Sequence, residues 1–256
     1  MGKLFKIEMK KLYKSTAMRI MLIIVVVLSL ISVASYAFID SMGNELVALT
    51  FKITGHDIYI ALLQDNSDTI LLITILMAIL IGSDFSARTL QMQLSAGYSR
   101  MQIVVSRFLS SIVAFLILFA LYMLCMAGGI TAIFGFGPEV TGDIIGNLVL
   151  KTVMCVFMSF SMIALYMLIC FLLKSTGSSI GVCLPFMLIG TSILQALAMA
   201  FKTCKFIIEL TPFGQIMLIG EDLNNLEIVK FFAVGAVWII GMILINHATF
   251  KNAELK

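Results

Sequence analysis

Six apolar stretches separated by short polar connectors constrain this chain more than any other feature of its sequence. A membrane-spanning helix needs about 20 mostly apolar residues. Of the 256 residues, 61% are apolar and 12% are charged, against roughly 45–50% and about 25% in an average soluble domain. Because a water-soluble globule of this length cannot bury so much apolar surface, we predict an all-α membrane protein with one transmembrane domain over residues 1–256.

The predicted spans are the apolar stretches at 20–39, 69–83, 108–134, 152–173, 180–201 and 228–245. Five of them have the length of a span. The stretch at 69–83 is shorter, follows Asp65 and Asp68, and taken alone is also compatible with a re-entrant segment. The first stretch is longer than the roughly 7–15-residue apolar core of a signal peptide, so we interpret it as a retained span.

The distribution of basic residues favours six crossings. The first nineteen residues contain six Lys or Arg residues and one acid, Glu8. By the positive-inside rule this end stays in the cytoplasm. With six spans the cytoplasmic segments carry a net charge of +9 and the outer segments −6, whereas a second stretch that did not cross would put the basic segment 88–107 outside. We therefore predict that both termini are cytoplasmic.

The basic segment before the first span has helical periodicity. Five lysines share one arc of a helical wheel, where they would contact anionic headgroups: Lys3, Lys6, Lys10, Lys11 and Lys14. The opposite arc is apolar and consists of Phe5, Met9, Leu12 and Tyr13. This pattern predicts an amphipathic helix that lies in the inner headgroup region. The alternative is a basic topogenic segment without fixed structure.

The connector between the second and third predicted spans carries the most information about function. Ser83 or Asp84 can begin a helix and Gly97 can end it. One face of this helix would combine residues at helical spacing, namely Phe85, Thr89, Met92 and Ala96. Leu90 and Leu94 form a second apolar ridge. Such a helix can pack on the bundle with one ridge and offer the other to a partner; alternatively, it packs only against its own bundle.

The order of these features resembles the ABC-2 type permeases of ABC transporters. The connector contains Asp84-Phe85, Thr89-Leu90 and the run 94–100, and is similar to the cytoplasmic coupling helix of that family. The resemblance implies that an ATP-binding subunit contacts residues of this connector: Asp84, Phe85, Arg88, Thr89, Met92, Leu94, Gly97, Ser99 and Arg100. The basic N-terminal helix is similar to the elbow helix of the family, and Pro212-Phe213 resembles its outer Pro-Phe element at the extracellular gate.

The resemblance also implies a function and a set of partners. The length and the lack of a large outer domain are most similar to the small permeases of bacitracin and lantibiotic self-protection exporters. The family implies a multi-pass permease in a bacterial cell membrane that moves an amphipathic antimicrobial peptide or a lipid-like molecule. Its partners would be ABC ATPase subunits, a second permease subunit and membrane lipid, with no nucleic acid.

The sequence lacks the residue patterns expected for ATP binding, ion coupling or catalysis. No G-x-x-x-x-G-K-[ST] loop is present, so ATP and Mg²⁺ would be bound by a partner subunit and no cofactor by this chain. The central turns of the six predicted spans contain no charged residue or histidine, which weakens the alternative of an ion-coupled carrier. No catalytic pair can be assembled, so we expect a non-enzyme; a membrane-embedded sensor or scaffold is the other alternative. The five cysteines lack the spacing of a zinc site or disulfide framework.

Overall fold

The computed structural model describes residues 2–41, 54–87, 89–201, 208–220 and 223–252. In these ranges the chain is helical and contains no strand. The helices, in chain order, are α1 (Gly2–Lys14), α2 (Thr16–Ser41), α3 (Gly55–Gln64), α4 (Ser67–Ser86), α5 (Thr89–Ser95), α6 (Arg100–Phe134), α7 (Gly142–Leu173), α8 (Thr176–Ala200), α9 (Pro212–Met217) and α10 (Asn225–Asn252). A 3-10 turn, Leu218–Gly220, follows α9. The prediction of an all-α protein is confirmed for the described residues.

Five helices are long and apolar enough to cross a membrane: α2, α4, α6, α7 and α10. The chain is therefore a multi-pass membrane protein. Helix α4 has 20 residues, because the predicted short stretch at 69–83 is extended by helical turns at both ends. Helix α8 has 25 residues, but its apolar part in the described residues, Thr176–Gly190, is shorter than a span. The sixth crossing remains a prediction.

The helices extend beyond the apolar stretches that predict them. Helix α6 has 35 residues and begins at Arg100, eight residues before the predicted span. Its start is fixed by a capping box in which the Ser99 hydroxyl accepts from the backbone N–H of Gln102, and the Gln102 side chain accepts from the backbone N–H of Ser99. Two N–H groups that a helix start leaves unpaired are satisfied in this way. Hydropathy detects only the apolar part of such a helix.

Helices α4, α6 and α7 form the centre of the bundle. Their most apolar windows are 61%, 50% and 56% buried, compared with 17% for α2 and 11% for α10. Helix α4 packs against α6, α7 and α8. Its side chains Ile73 and Leu76 are fully buried, as are Phe115 of α6 and Tyr166 of α7. Helices α2 and α10 pack on this centre with one face and expose the rest.

Helix α6 also defines the two ends of the bundle. Near its start, Arg107 contacts Glu8 of α1; we call this the α1 end. Just beyond its last residue, the carbonyl of Gly135 accepts a hydrogen bond from the backbone N–H of Gly55 at the start of α3 (2.9 Å); we call this the α3 end. A side chain at Gly55 would lie 2.0 Å from Thr131 Oγ1, so glycine permits this close contact between α3 and α6.

Candidate partner-coupling site

The connector between α4 and α6 is not one continuous helix. Helix α4 continues through Asp84 and Phe85 to Ser86, so the prediction that a helix begins at Ser83 or Asp84 is wrong. The T-shaped contact of Phe85 with Phe171 (ring centroids 6.2 Å apart) helps to fix this last turn against α7. Arg88, a predicted contact residue, lies outside the described residues.

Helix α5 is seven residues long and has an inner and an outer side. The inner side packs on the bundle through the buried Leu90 and the half-buried Leu94. The outer side exposes Met92, which is 61% accessible, and Ala96. Thr89 is half-buried at the first turn. As the apolar periodicity predicts, one side of α5 packs on the bundle and another is exposed. Met92 is the large apolar side chain on the exposed side.

Gly97 ends α5 with a left-handed backbone conformation, at φ +88°. The backbone N–H of Gly97 donates to the carbonyl of Leu94 (3.0 Å), and that of Tyr98 donates to the carbonyl of Gln93 (3.3 Å). These bonds satisfy carbonyls that a helix end leaves unpaired. The predicted role of Gly97 as a helix stop is confirmed.

Four charged side chains and one amide form a buried cluster where α5 meets the bundle. Arg107 of α6 contacts Glu8 of α1 (Nη1 to Oε2, 2.6 Å) and Asp84 of α4. Lys11 of α1 also pairs with Asp84. Gln93 of α5 donates from Nε2 to Glu8 Oε1 (2.9 Å). We call these five residues the ionic cluster.

The ionic cluster connects four helices while its formal charges cancel. The side chains of Glu8, Asp84 and Arg107 are no more than 5% exposed, and that of Lys11 is 33% exposed. Charges removed from water to this degree are tolerated only with close opposite charges and hydrogen bonds. The cluster therefore joins α1 to α4 and α6, and joins α5 to α1.

Asp84 and Arg100 are held by contacts within the chain. Asp84 belongs to the ionic cluster and has almost no exposed surface. Arg100 donates from Nη1 to the carbonyls of Phe250 and Lys251 at the end of α10, and its guanidinium lies 5.5 Å from the centre of the Phe250 ring. Ser99 is exposed and caps α6. Among the described residues of the predicted contact set, Met92, Gly97 and Ser99 are exposed and Thr89 is half-buried.

Helix α1 is present, but its buried side differs from the predicted apolar arc. The buried residues are Leu4, Glu8 and Leu12, whereas Tyr13 is 86% exposed. The reason is the ionic cluster, which turns Glu8 and Lys11 toward the bundle. Four of the predicted lipid-contacting lysines are exposed, namely Lys3, Lys6, Lys10 and Lys14. The fifth, Lys11, is paired with Asp84.

The predicted gate residues lie at the α3 end. Pro212 is the first residue of α9, which the Thr211 hydroxyl caps by accepting from the backbone N–H of Gly214 (3.3 Å). Phe213 packs edge-on against Phe186 of α8 (6.3 Å between centroids). Just before α9, the carbonyl of Leu210 accepts a hydrogen bond from the indole of Trp238 on α10 (2.7 Å). The start of α9 is thus linked to α8 and α10, and the helix also packs on α7.

Sequence reasoning missed the ionic cluster. Glu8 and Arg107 entered only as contributions to the charge balance, and Gln93 had no assigned role. One available signal was Glu8 itself, the single acid among six basic residues, three positions from Lys11 on the same helical face. A partner more than 70 residues away in sequence could not be identified from such a local pattern.

No candidate metal site is present in the part of the chain that the structure describes. No three His, Cys, Asp or Glu residues are grouped there so that they could hold an ion. Four cysteines are free thiols, namely Cys125, Cys155, Cys170 and Cys183; Cys204 lies outside the described residues. The candidate site at the α1 end therefore consists of ion pairs, helix caps and the exposed side chain of Met92.

The sequence matches no protein-family model and no curated protein.

Proposed function

We propose that the chain is the membrane-spanning permease subunit of an ATP-driven ABC exporter of the ABC-2 type. Its α1 end faces the cytoplasm, where separate ATPase subunits bind ATP and Mg²⁺. The observation that carries the proposal is α5, a short helix that exposes Met92 on one side while its other side is joined to the bundle. A partner that binds this helix can act on the helices behind it.

The contact surface for the ATPase consists of the accessible residues of the connector. Met92 is the apolar anchor, and Thr89, Gly97 and Ser99 surround it. An exposed large apolar side chain at the tip of a polar connector is the kind of residue that a complementary groove buries on binding. Phe85 and Leu94 support the surface from inside the bundle and do not need to touch the partner.

The ionic cluster transmits force in this proposal. Pressure on α5 is passed through Gln93 to Glu8, and from there to Arg107 and Asp84. Helices α1, α4 and α6 consequently tilt together when the ATPases close. Lys3, Lys6, Lys10 and Lys14 keep α1 on anionic lipid, so that the helix slides along the membrane surface and does not leave it.

The second permease subunit, a copy of this chain or a related one, packs beside it in the membrane. Helices α2 and α10 present the least buried apolar surfaces of the described spans, and these faces are available to lipid and to the partner permease. The cargo is amphipathic, an antimicrobial peptide or a lipid-like molecule, and Pro212 and Phe213 form part of the outer gate.

Co-purification tests the ATPase contact. The tagged chain, extracted from its host membrane in mild detergent, is expected to recover a protein with a phosphate-binding loop, identified by mass spectrometry. Met92→Asp should lower this recovery by roughly tenfold, the loss expected of an interface anchor. The matched control is Val140→Asp at the α3 end, where Val140 is 64% exposed and recovery should not change.

Two results would contradict the proposal. If no such protein accompanies the unsubstituted chain, the chain is not an ABC permease. If Met92→Asp and Val140→Asp recover it equally well, α5 is not the contact. Stimulation of ATP hydrolysis by cargo in the reconstituted complex then separates a transporter from a scaffold that binds an ATPase and moves nothing.

Cysteine labelling tests the orientation. In intact cells, with the five native cysteines replaced by serine, a membrane-impermeant maleimide should modify Val140→Cys and leave Met92→Cys unmodified. Both positions are exposed, so the difference reports only the side of the membrane. Labelling of Met92→Cys from outside would put α5 out of reach of any cytoplasmic ATPase.

A further inference from the structure

A cavity of about 720 Å³ opens between α3, α4, α7, α8 and α9 at the α3 end. This volume lies in the range of about 300–1,000 Å³ that small-molecule sites occupy. The cavity is separate from α5 and the ionic cluster. Phe213, a predicted gate residue, forms part of its wall.

The turn between α3 and α4 supplies a polar side of this cavity. Four consecutive polar residues line it there: Gln64, Asp65, Asn66 and Ser67. Asp65 is exposed and is the one formally charged residue among the described lining residues. Its Oδ1 accepts a hydrogen bond from the backbone N–H of Ser67 (3.1 Å), which restrains the carboxylate. The described lining therefore favours a cation.

Asn66 is held in place by the bundle. Its side chain is buried, and its Nδ2 donates to Ser159 Oγ of α7 (2.6 Å). An amide fixed in this way stabilises the turn that carries Asp65. The charged side of the cavity is thus part of the packed structure, whereas a solvated loop would leave it variable.

The remaining wall of the cavity is mainly apolar and adaptable. Met162 of α7, Met187 of α8 and Met217 of α9 line it. Methionine side chains are unbranched and polarisable, so they adjust to hydrocarbon groups of different shapes. Polar and charged groups on one side and methionines on the other match a molecule with a charged head and an apolar body.

Tyr166 adds a second polar feature to this wall. The residue lines the cavity and is completely buried, yet its hydroxyl has no hydrogen-bond partner among the described residues. Buried hydroxyl groups are generally hydrogen-bonded. Its oxygen is buried in the wall, so a ligand in the cavity does not contact it without a rearrangement of the wall.

We propose that this cavity binds a cationic amphiphile, an amine head on a hydrocarbon body, with the head at Asp65 and the body among Met162, Met187 and Met217. Binding itself requires no ATPase. Its interpretation as a cargo site rests on the proposed function and gives that function a substrate class. The same chemistry is found in free cationic amphiphiles and in amino lipids of the bilayer.

Equilibrium binding of three ten-carbon probes tests the proposal. The full chain is placed in phosphatidylcholine nanodiscs, and radiolabelled decylamine, decyl sulfate and decanol are compared after subtraction of binding to empty nanodiscs. We expect saturable binding of decylamine, one per chain, and at least about tenfold weaker binding of the other two, because they lose the charge-assisted contact. No ATPase is present, so failure here leaves the co-purification result unaffected.

Three variants locate the bound probe. Asp65→Asn should weaken decylamine binding by about tenfold, since it removes the charge and keeps the shape. Asp143→Asn removes an exposed acid at the start of α7, outside the cavity lining, and should have no effect. Met217→Trp at an exposed wall position should narrow the apolar part of the cavity and weaken binding.

Each outcome of these experiments either supports or overturns the proposal. Equal binding of decylamine and decyl sulfate, or equal effects of Asp65→Asn and Asp143→Asn, would overturn the proposal. Unchanged binding by Met217→Trp, with the variant eluting as a folded protein, would overturn it as well. Repetition in nanodiscs that contain phosphatidylethanolamine identifies the source: competition indicates an amino lipid, and undiminished decylamine binding indicates a free amphiphile. Either result supports a cation-selective amphiphile site.

Discussion

The two ends of the bundle use polar residues in opposite ways. At the α1 end, Glu8, Lys11, Asp84 and Arg107 are brought together so closely that their charges cancel in a nearly water-free cluster. At the α3 end, Asp65 is exposed beside a cavity and Tyr166 keeps an unpartnered hydroxyl. The charged groups at the α1 end join helices, whereas Asp65 at the α3 end is accessible beside the cavity. Substitutions in the ionic cluster should therefore affect folding, whereas substitutions at the cavity should affect binding.

Arg107→Met should have the largest effect on stability. Without the guanidinium, Glu8 is left as a buried carboxylate with one amide partner, and breaking a buried ion pair typically costs about 3–5 kcal/mol. Thermal unfolding followed by size-exclusion chromatography in detergent measures the loss. Arg19→Met removes an exposed arginine from α2 and serves as the control. Equal stability of the two variants would remove the contrast between the ends.

Asn66→Ala should have the next largest effect and tests the packed part of the α3 end. The substitution removes the hydrogen bond from Nδ2 to Ser159 and leaves a buried hydroxyl with one fewer partner, which costs about 1–3 kcal/mol. The same unfolding assay applies, with the exposed Asn147→Ala of α7 as control. A loss as large as that of Arg107→Met would mean that the α3 end is as tightly constrained as the α1 end.

Lys11→Met should cost about 1 kcal/mol, because its ammonium is partly exposed and such pairs contribute little. Asp84 retains Arg107 as a partner in this variant. The comparison with Arg107→Met separates the central member of the ionic cluster from a peripheral one. If Lys11→Met lowered the stability more than Arg107→Met, the pair between Lys11 and Asp84 would contribute more to stability than the contacts of Arg107.

Tyr166→Phe should have the smallest effect, within about 0.5 kcal/mol, because a hydroxyl without a partner adds no hydrogen bond to the folded state. Tyr122→Phe is the matched comparison on α6, since the Tyr122 hydroxyl donates to Asp68 Oδ2 (2.7 Å), and it should cost about 1–2 kcal/mol. Equal losses in the two unfolding curves would indicate that Tyr166 has a partner in the protein.

The sequence predicts the helices well because apolar length is a local property. The stretches at 20–39, 108–134 and 152–173 each lie inside a longer helix, and Gly97 ends α5 as expected. The helix starts were harder to predict: α6 begins with polar residues that depend on the capping box at Ser99 and Gln102. Such caps are visible in a sequence only once the helix boundary is approximately known.

The candidate sites depend on contacts between residues that are far apart in sequence, and local sequence patterns do not show such contacts. The wheel of α1 assigned Phe5 and Tyr13 to an arc in the membrane, but it did not show that Glu8 packs on the bundle through Arg107, far along the chain. The family resemblance placed Asp84 among the partner contacts, whereas its pairs with Arg107 and Lys11 bury it within the bundle. Met92 needed no long-range partner, and its exposure agrees with the ridge pattern.

The contact between Trp238 and Leu210 has a practical consequence for spectroscopy. Trp238 is the single tryptophan of the chain, and its indole N–H is bonded to the backbone directly before α9. Indole emission shifts in wavelength when a hydrogen bond or the local polarity changes. The unlabelled protein therefore contains its own fluorophore at the junction of α9 and α10, where a change in the relative position of these helices could be followed in real time.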